Sequence, residues 1–245
     1  MTRIIACLVL VCGFAIGVAD AATLGGQVAC SAASSTAPTC TLTGVQAGDL
    51  LVVGLAIDSG PGGALTGVSD PTNGAWTCPA GANFDWGFTN LAAICYKENS
   101  GASASLVVTA AISVAGSSQW NVSRWSGILA SGSADGTGSE GSDTTSPYGH
   151  GAGLTTTGNG LIITAAMANN TVTSPTPASG FTALTNNGGK DYFQYRTGGV
   201  TTTDGAYTAS TMTGHSGVMF AWLDGAGGAA AASPMLSFFG KRIQP

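Results

Sequence analysis

The chain has 245 residues, of which 44% are hydrophobic and only 8% are charged, and its formal net charge is −5. This apolar share supports a substantial core, so the composition excludes global disorder. Lys and Arg together number 7 and form no basic run, so we expect neither a nucleic-acid partner nor attachment to an anionic membrane surface. The 38 glycines, with frequent Thr, Ser and Ala, are typical of an all-β protein with an uncharged polar surface.

The N-terminus has the pattern of a secretory signal peptide. Arg3 precedes an apolar run at residues 4–18, and Ala19-Asp20-Ala21 offers a cleavage site with small residues. We therefore expect residues 1–21 to be removed, and the mature protein to be secreted or at the cell surface without a stable membrane span. A membrane anchor is the alternative, but spans usually need about 20 apolar residues.

The cysteines indicate two disulfides. Of the six in the chain, Cys7 and Cys12 lie in the predicted signal peptide, which leaves Cys30, Cys40, Cys78 and Cys95. An even number in an exported chain favours disulfides, and proximity favours Cys30–Cys40 and Cys78–Cys95, each closing the base of a hairpin. A zinc site is the alternative, but its usual C-x-x-C pair is absent.

Short runs rich in Val, Ile, Thr and aromatic residues alternate with Gly, Asn, Asp and Pro along the chain. This pattern predicts strands and turns of an antiparallel β-sandwich. Asn73-Gly74 favours a hairpin turn. The predicted strands are 23–30, 39–44, 50–58, 64–69, 74–78, 91–98, 105–112, 119–127, 161–168, 180–184, 191–197, 205–211 and 216–224.

The segment 83–88 (NFDWGF) is the best candidate for ligand binding, because it places aromatic residues inside the predicted Cys78–Cys95 loop. Such rings stack on sugars or anchor a protein partner, while a small core beneath the loop is the alternative. Trp76, Trp125 and Trp222 each have an aromatic counterpart in the other half of the chain, so we assign them to the core. The candidate ligand-binding residues are Phe84, Asp85, Trp86, Phe88 and Trp120.

Two stretches of the chain are alike. GDLLVVGLAIDS at 48–59 matches GNGLIITAAMAN at 158–169, and a gapless alignment places Leu51 opposite Leu161. Further pairs follow in the same order: Trp76 with Phe181, Tyr96 with Tyr195, and Trp125 with Trp222. We infer an internal duplication; the alternative is that any two strands of a sandwich look alike.

We expect one domain at 22–225, with similar halves at about 47–130 and 157–225. Each half has too few strands to bury both faces of a sheet, so the halves are expected to form one double-layered, jelly-roll-like sandwich. The intervening residues 131–156 have almost no large apolar side chain and predict an exposed loop. Within them Asp135, Glu140 and Asp143 offer oxygen ligands for calcium, although a solvated acidic loop is the favoured interpretation.

The sequence offers no convincing catalytic site. His215-Ser216 in TGHSGV lacks the second glycine of a nucleophile elbow, because Val218 stands there, and the following VMFAW predicts a strand. His150 and His215 are therefore interpreted as satisfied or exposed loop residues. Glu98 is the only acidic residue near a strand position suited to a glycosidase. We predict that the protein is not an enzyme, with glycoside hydrolase as the lesser alternative.

The C-terminal segment 226–245 combines a Gly/Ala spacer with an apolar tail. Its apolar residues can add a strand to the sheet edge of a second copy, which predicts self-assembly. The alternative is that the tail covers an edge of its own sandwich. The residues concerned are Met235, Leu236, Phe238 and Phe239.

Several motifs between residues 45 and 225 together resemble a known group. They are GDLLVV, a D-x-x-N-G turn before an aromatic, an aromatic-basic pair and a Trp-Ser-Gly strand end. The chain resembles Gly/Thr-rich, jelly-roll-like β-sandwich domains of uncharacterised bacterial secreted and phage-associated proteins. The resemblance implies the fold and no established activity. We therefore expect a secreted, non-enzymatic surface, matrix or adhesive protein, with a carbohydrate-binding module as the alternative.

Overall fold

The computed structural model describes residues 21–60, 63–85, 90–136, 140–141, 145–150, 153–199, 202–210 and 214–225. Within these ranges the protein is all-β and its strand pairs are antiparallel, which confirms the predicted fold class. The predicted signal peptide up to residue 20 and the tail residues Met235, Leu236, Phe238 and Phe239 lie outside them.

The strands of the first half follow the predicted segments closely, and β3 begins and ends where the sequence predicts. The one helical element among the described residues is a 3₁₀ turn at Ala80–Ala82. The strands are β1 (Thr23–Ser35), β2 (Thr39–Val45), β3 (Leu50–Asp58), β4 (Leu65–Asp70), β5 (Gly74–Ala75), β6 (Asn83–Asp85), β7 (Asn90–Lys97), β8 (Ser103–Ile112) and β9 (Gly116–Ser126).

The second half has three long strands and several very short ones. They are β10 (Ala134–Gly136), β11 (Glu140–Gly141), β12 (Leu154–Thr155), β13 (Gly160–Ala168), β14 (Thr182–Ala183), β15 (Asp191–Gly198), β16 (Thr202–Thr203) and β17 (His215–Leu223).

Three of the sheets stack as layers. The outer sheet has the order β2-β8-β4-β5, the central sheet β1-β9-β3-β7-β6, and the C-terminal sheet β10-β17-β13-β15-β14 with β11 also on β17. One apolar cluster fills the space between the outer and central sheets, and another fills the space between the central and C-terminal sheets. The expected two layers are therefore too few, because the central sheet is covered on both faces.

Strand β3 shows why its sequence is a continuous apolar run. Leu50 and Val52 point toward the C-terminal sheet, whereas Leu51 and Val53 point toward the outer sheet. Because successive side chains of a strand alternate between faces, a strand buried on both faces needs apolar residues at every position. Every residue of β3 up to Ile57 is accordingly buried.

Both predicted disulfides are present, but neither closes a hairpin. Cys30 on β1 of the central sheet bonds Cys40 on β2 of the outer sheet, with Cα atoms 5.7 Å apart. Cys78 follows β5 of the outer sheet and bonds Cys95 on β7 of the central sheet, with Cα atoms 4.2 Å apart. The first bond therefore fastens the outer sheet to the central sheet, and the second ties the segment that follows β5 to β7, beside the bridge between Thr77 and Tyr96. Two such bonds are consistent with an oxidising environment.

The strand order β9-β3-β7 of the central sheet recurs as β17-β13-β15 in the C-terminal sheet. The register, however, shifts the predicted alignment by one residue. Leu50 pairs with Trp125 and Leu161 pairs with Trp222, so Leu161 is the counterpart of Leu50. The gapless match of Leu51 with Leu161 is wrong, because a slip of one residue exchanges the two faces of a strand.

The described part of the stretch 131–156 is not the exposed loop that the sequence predicts. Strands β10 and β11 within this stretch pair with β17 and extend the C-terminal sheet. Tyr148 and Leu154 are buried, and so are the polar residues Ser133, His150 and Thr156. The stretch therefore contributes side chains to the interior as well as strands to the sheet.

The outer face of the C-terminal sheet is covered by short segments, here called the cover: residues 145–150, 153–156, 171–181 and 202–210. Strands β12 and β16 pair within it, and the bridge between Tyr148 and Tyr207 adds a second connection. Apolar side chains of the cover pack on those of the sheet. The second half thus buries its outer face largely with loops where the first half uses a four-stranded sheet.

Gly54 of β3 lies where the central and C-terminal sheets pack closely against each other. A Cβ atom on this residue would lie 2.7 Å from Cδ1 of Phe193, whereas a Cβ atom on Gly67 of β4 meets nothing within 4 Å. We expect Gly54→Ala to lower the free energy of unfolding by about 1–3 kcal/mol through overpacking. Gly67→Ala is the matched control and should change it little. Urea denaturation measures both, and equal midpoints would contradict the packing described.

Candidate functional site

The outward side of the outer sheet is a regular surface that no other described element covers. Strands β2, β8 and β4 alternate buried apolar residues with solvent-facing small ones. We call the solvent-facing set the hydroxyl face. It consists of Thr39, Thr41, Thr43, Thr66, Ser69, Ser105, Val107, Thr109 and Ala111.

Strand pairing arranges the hydroxyl face as a grid. Thr109 pairs with Thr39 on one side and with Ser69 on the other, so three hydroxyls lie in one row across the strands. Thr41 pairs with Val107 in the next row. Rows are separated by about 6–7 Å along a strand and neighbouring strands by about 4.8 Å. No member of the grid carries a charge.

The opposite side of the same strands holds the grid in place. Leu42, Val68 and Val108 pack against the central sheet in the apolar cluster between the two sheets. The Cys30–Cys40 disulfide ties the edge strand β2 to that sheet. The face therefore sits on a packed, covalently fastened support.

A depression of about 420 Å³ adjoins the hydroxyl face at the end of β2 and β8. None of the residues lining it is acidic or basic. They are Gly44, Val45, Gln46, Ala102, Ser103 and Ala104.

The predicted aromatic loop is only partly described. Phe84 on β6 is half-buried and packs against the cluster between the central and C-terminal sheets, while Asp85 is exposed. Trp86 and Phe88 lie outside the described residues. Phe84 thus fits the small-core interpretation, and ligand binding by this loop stays a prediction.

Trp120 does not fit its predicted binding role. It is 1% exposed, pairs with Leu55 of β3, and its Nε1 donates to Ser118 Oγ at 2.7 Å. Alternation along β9 puts it on the same side as Val122, facing the outer sheet, a pattern that the sequence already contained. The tryptophans predicted to be in the core are buried as expected: Trp76, Trp125 and Trp222.

The predicted calcium ligands are not brought together by what the structure describes. The Asp135 carboxylate is hydrogen-bonded to Thr157. One of its oxygens accepts from the backbone N–H of Thr157 at 2.8 Å, and the other accepts from the Thr157 hydroxyl. The side chain of Glu140 and all of Asp143 lie outside the described residues. Among those residues, no three His, Cys, Asp or Glu side chains cluster as metal ligands. Calcium binding therefore stays a prediction.

The groups considered for catalysis are engaged in holding the fold. Ser216 is fully buried and its Oγ donates to the backbone carbonyl of Asn90 at 2.6 Å. His215, its neighbour on the strand, contacts the cover on the other side of the sheet, so the two side chains do not meet. Glu98 accepts from the backbone N–H of Ser133 at 2.7 Å and from its hydroxyl.

Five rings that the sequence does not predict to meet form a buried cluster, here called the ring cluster. It joins Tyr148, His150 and Tyr207 of the cover to Tyr192 of β15 and His215 of β17. Ring centroids lie 4.5 Å apart for Tyr192 and Tyr207, 5.7 Å for Tyr148 and His215, and 5.9 Å for the two histidines. Neither histidine is exposed at all. No local pattern signals the cluster, because its members come from three separate parts of the sequence: 148–150, 192 and 207–215.

Burial governs the titration of the ring cluster. Loss of water contact lowers the pKa of His215 to about 4 and raises the pKa of Tyr192 to about 12. Burial, and then the neighbouring tyrosines, raise the pKa of Tyr207 above its usual range. His215, Tyr192 and Tyr207 are therefore uncharged near pH 7.

Gly217 provides the space for both histidines. A Cβ atom there would lie 2.6 Å from Cδ2 of His150 and 2.9 Å from Nε2 of His215. The absence of a side chain at this strand position is thus a packing requirement of the ring cluster.

Comparison with protein-family models, with curated proteins and with solved structures finds no match for this chain. In the part of the chain that the structure describes, no helix has the length and apolar character needed to cross a membrane.

Trp120 and Trp86 give a direct contrast between core and loop. Trp120→Ala should lower the free energy of unfolding by about 3–5 kcal/mol, because it empties a well-packed space between two sheets. Trp86→Ala should change it little if the predicted loop binds a ligand. Denaturation followed by circular dichroism measures both, and a Trp120→Ala protein as stable as the unmodified one would contradict the core assignment.

Proposed function

We propose that this chain is a secreted, non-enzymatic adhesive module whose hydroxyl face binds uncharged, hydroxyl-rich polymers, with polysaccharides as the ligand class. The observation that carries the proposal is a solvent-facing β-sheet surface of Thr, Ser, Ala and Val with no charged member. A charged side chain on this surface would make contact with an uncharged partner costly, and the surface has none.

The chemistry of the face suits an uncharged partner. A Thr or Ser hydroxyl both donates and accepts hydrogen bonds, as sugar hydroxyls do, and the methyl groups of Thr41 and Val107 offer apolar contact. An ionised side chain at the same place would lose its water without gaining an opposite charge, which is costly. A repeating polymer meets a repeating grid at many weak points, so avidity compensates for weak single contacts.

Other features support a non-catalytic, extracellular role. The two disulfides and the predicted signal peptide suit secretion. The side chains of the catalytic candidates Ser216 and Glu98 form hydrogen bonds within the fold. Self-assembly through the tail 226–245 and sugar stacking through Trp86 remain additional proposals.

Binding to insoluble, uncharged polysaccharides such as cellulose and chitin, measured by depletion from solution, tests the hydroxyl face. Thr41→Glu and Val107→Glu introduce a charge at paired positions and should each weaken binding by at least about tenfold, through desolvation of the carboxylate. Thr182→Glu is the matched control, since Thr182 is an exposed strand threonine of β14 on another sheet. Unchanged binding in the first two variants would overturn the assignment of the face.

Salt provides a second test. Because the proposed contacts involve no charge pairs, we expect adsorption to persist when NaCl rises from about 0.1 M to about 1 M, where the Debye length falls from about 10 Å to about 3 Å. A large loss of binding at high salt would indicate an ionic partner. Loss of adsorption in Trp86→Ala, with Thr41→Glu unaffected, would assign binding to the aromatic loop.

A further inference from the structure

The ring cluster connects the cover to the C-terminal sheet. His150 lies on the cover segment 145–150, and its backbone N–H donates to the carbonyl of Asp204 at 3.1 Å. His215 lies on β17, at the end of the sheet where it pairs with Ala168. Tyr207 lies beside both of them, with its ring centroid 6.1 Å from that of His150 and 6.0 Å from that of His215. Rings from the sheet and from the cover are thus interleaved.

The Nδ1 atom of His150 lies 3.1 Å from the backbone carbonyl oxygen of Asp204, and the Nε2 atoms of both imidazoles are buried away from water. The titratable groups on the described parts of the packed elements are the three tyrosines of the ring cluster and Asp204. The Asp204 side chain is exposed and its Oδ1 accepts from the backbone N–H of Ala206 at 3.1 Å. Arg196 lies farther along β15, beside Gly180, and Asp191 lies at the start of β15, where its carboxylate accepts from a neighbouring loop.

We propose that the ring cluster is an acid-sensitive latch: protonation of His150 and His215 at mildly acidic pH releases the cover and exposes the apolar outer face of the C-terminal sheet. An imidazolium sealed among aromatic rings lacks the water that stabilises its charge. When the cover opens, the histidines regain that water and hold their protons at little cost. The proton is therefore bound more tightly by the open form.

The direction of the pH dependence follows from His215. Its pKa is about 4 in the closed structure, below the ordinary value of 6.5. The stability that the neutral histidine contributes is fully present above the ordinary value, and it is lost as the pH falls from there toward about 4. Asp191 has the opposite effect, because burial raises the pKa of this carboxyl and so favours the folded state in acid.

The cover is held less extensively than the sheets and should open before them. Tyr148 and Tyr207 exchange two backbone hydrogen bonds, of 2.7 and 3.1 Å, and the paired strands β12 and β16 have two residues each. By contrast, β13 pairs with β17 along its full length from Gly160 to Ala168. Local opening is governed by such differences in hydrogen bonding and contact.

Hydrogen exchange followed by mass spectrometry, at about pH 7 and about pH 5 with correction for the intrinsic rate, tests the latch. We expect the amides of Tyr148, His150 and Tyr207 to lose protection by at least about tenfold at the lower pH. The amides of the β2–β8 pair in the outer sheet should keep theirs, and they serve as the internal control. Equal loss in both regions, or no loss in the cover, would overturn the proposal with the unmodified protein alone.

Replacing the imidazoles separates their protonation from other effects of acid. The chain has two histidines, so the variant H150Q/H215Q removes both of them. We expect its cover amides to exchange at the same corrected rate at both pH values, because a Gln side chain takes no proton in this range. A variant whose cover still opens selectively in acid would contradict the latch. Adsorption to polysaccharide through the outer sheet is a separate measurement, so either proposal can fail alone.

Discussion

The burial of the central sheet on both faces is the constraint on which the rest of the structure depends. An inner strand of a sheet that is covered on two sides has no solvent-facing position. This is why β3 is apolar from Leu50 to Ile57. The same requirement brings in two covering layers, the outer sheet and the C-terminal sheet. The Cys30–Cys40 disulfide then fastens the outer sheet to the central sheet.

Polar contacts complete the junction of the two halves around this core. The segment 185–190 of the second half reaches the central sheet, where the backbone N–H of Thr185 donates to Gln27 and that of Lys190 donates to Gln119. Lys190 also forms an ion pair with Asp58 at 2.8 Å. The apolar cluster supplies the burial, and these directional bonds set how the C-terminal half lies on the first.

This layering decides which surfaces remain for function. The central sheet is enclosed, so the first half presents the hydroxyl face of its outer sheet to solvent. The C-terminal sheet has no second regular sheet over it, and its outer face depends on short segments gathered around five rings. The proposed adhesive surface thus belongs to the outer sheet, which a disulfide fastens to the central sheet. The proposed acid-sensitive latch belongs to the cover, which has little regular secondary structure.

The sequence by itself determined the fold class, most strand positions, the disulfide pairs and the core tryptophans with counterparts. These follow from period-two patterning, turn residues and short separations along the chain, which are local properties. Only the tertiary structure decided the number of layers, the one-residue register of Leu161 and the meeting of His150 with His215. Each depends on what packs against a residue from a distant part of the chain, and local sequence carries no record of that neighbour. The hydroxyl face combines both kinds of information. Its alternating Thr positions are visible in TCTLT at 39–43, whereas the lack of a covering layer over them in the described structure is known only from the tertiary structure.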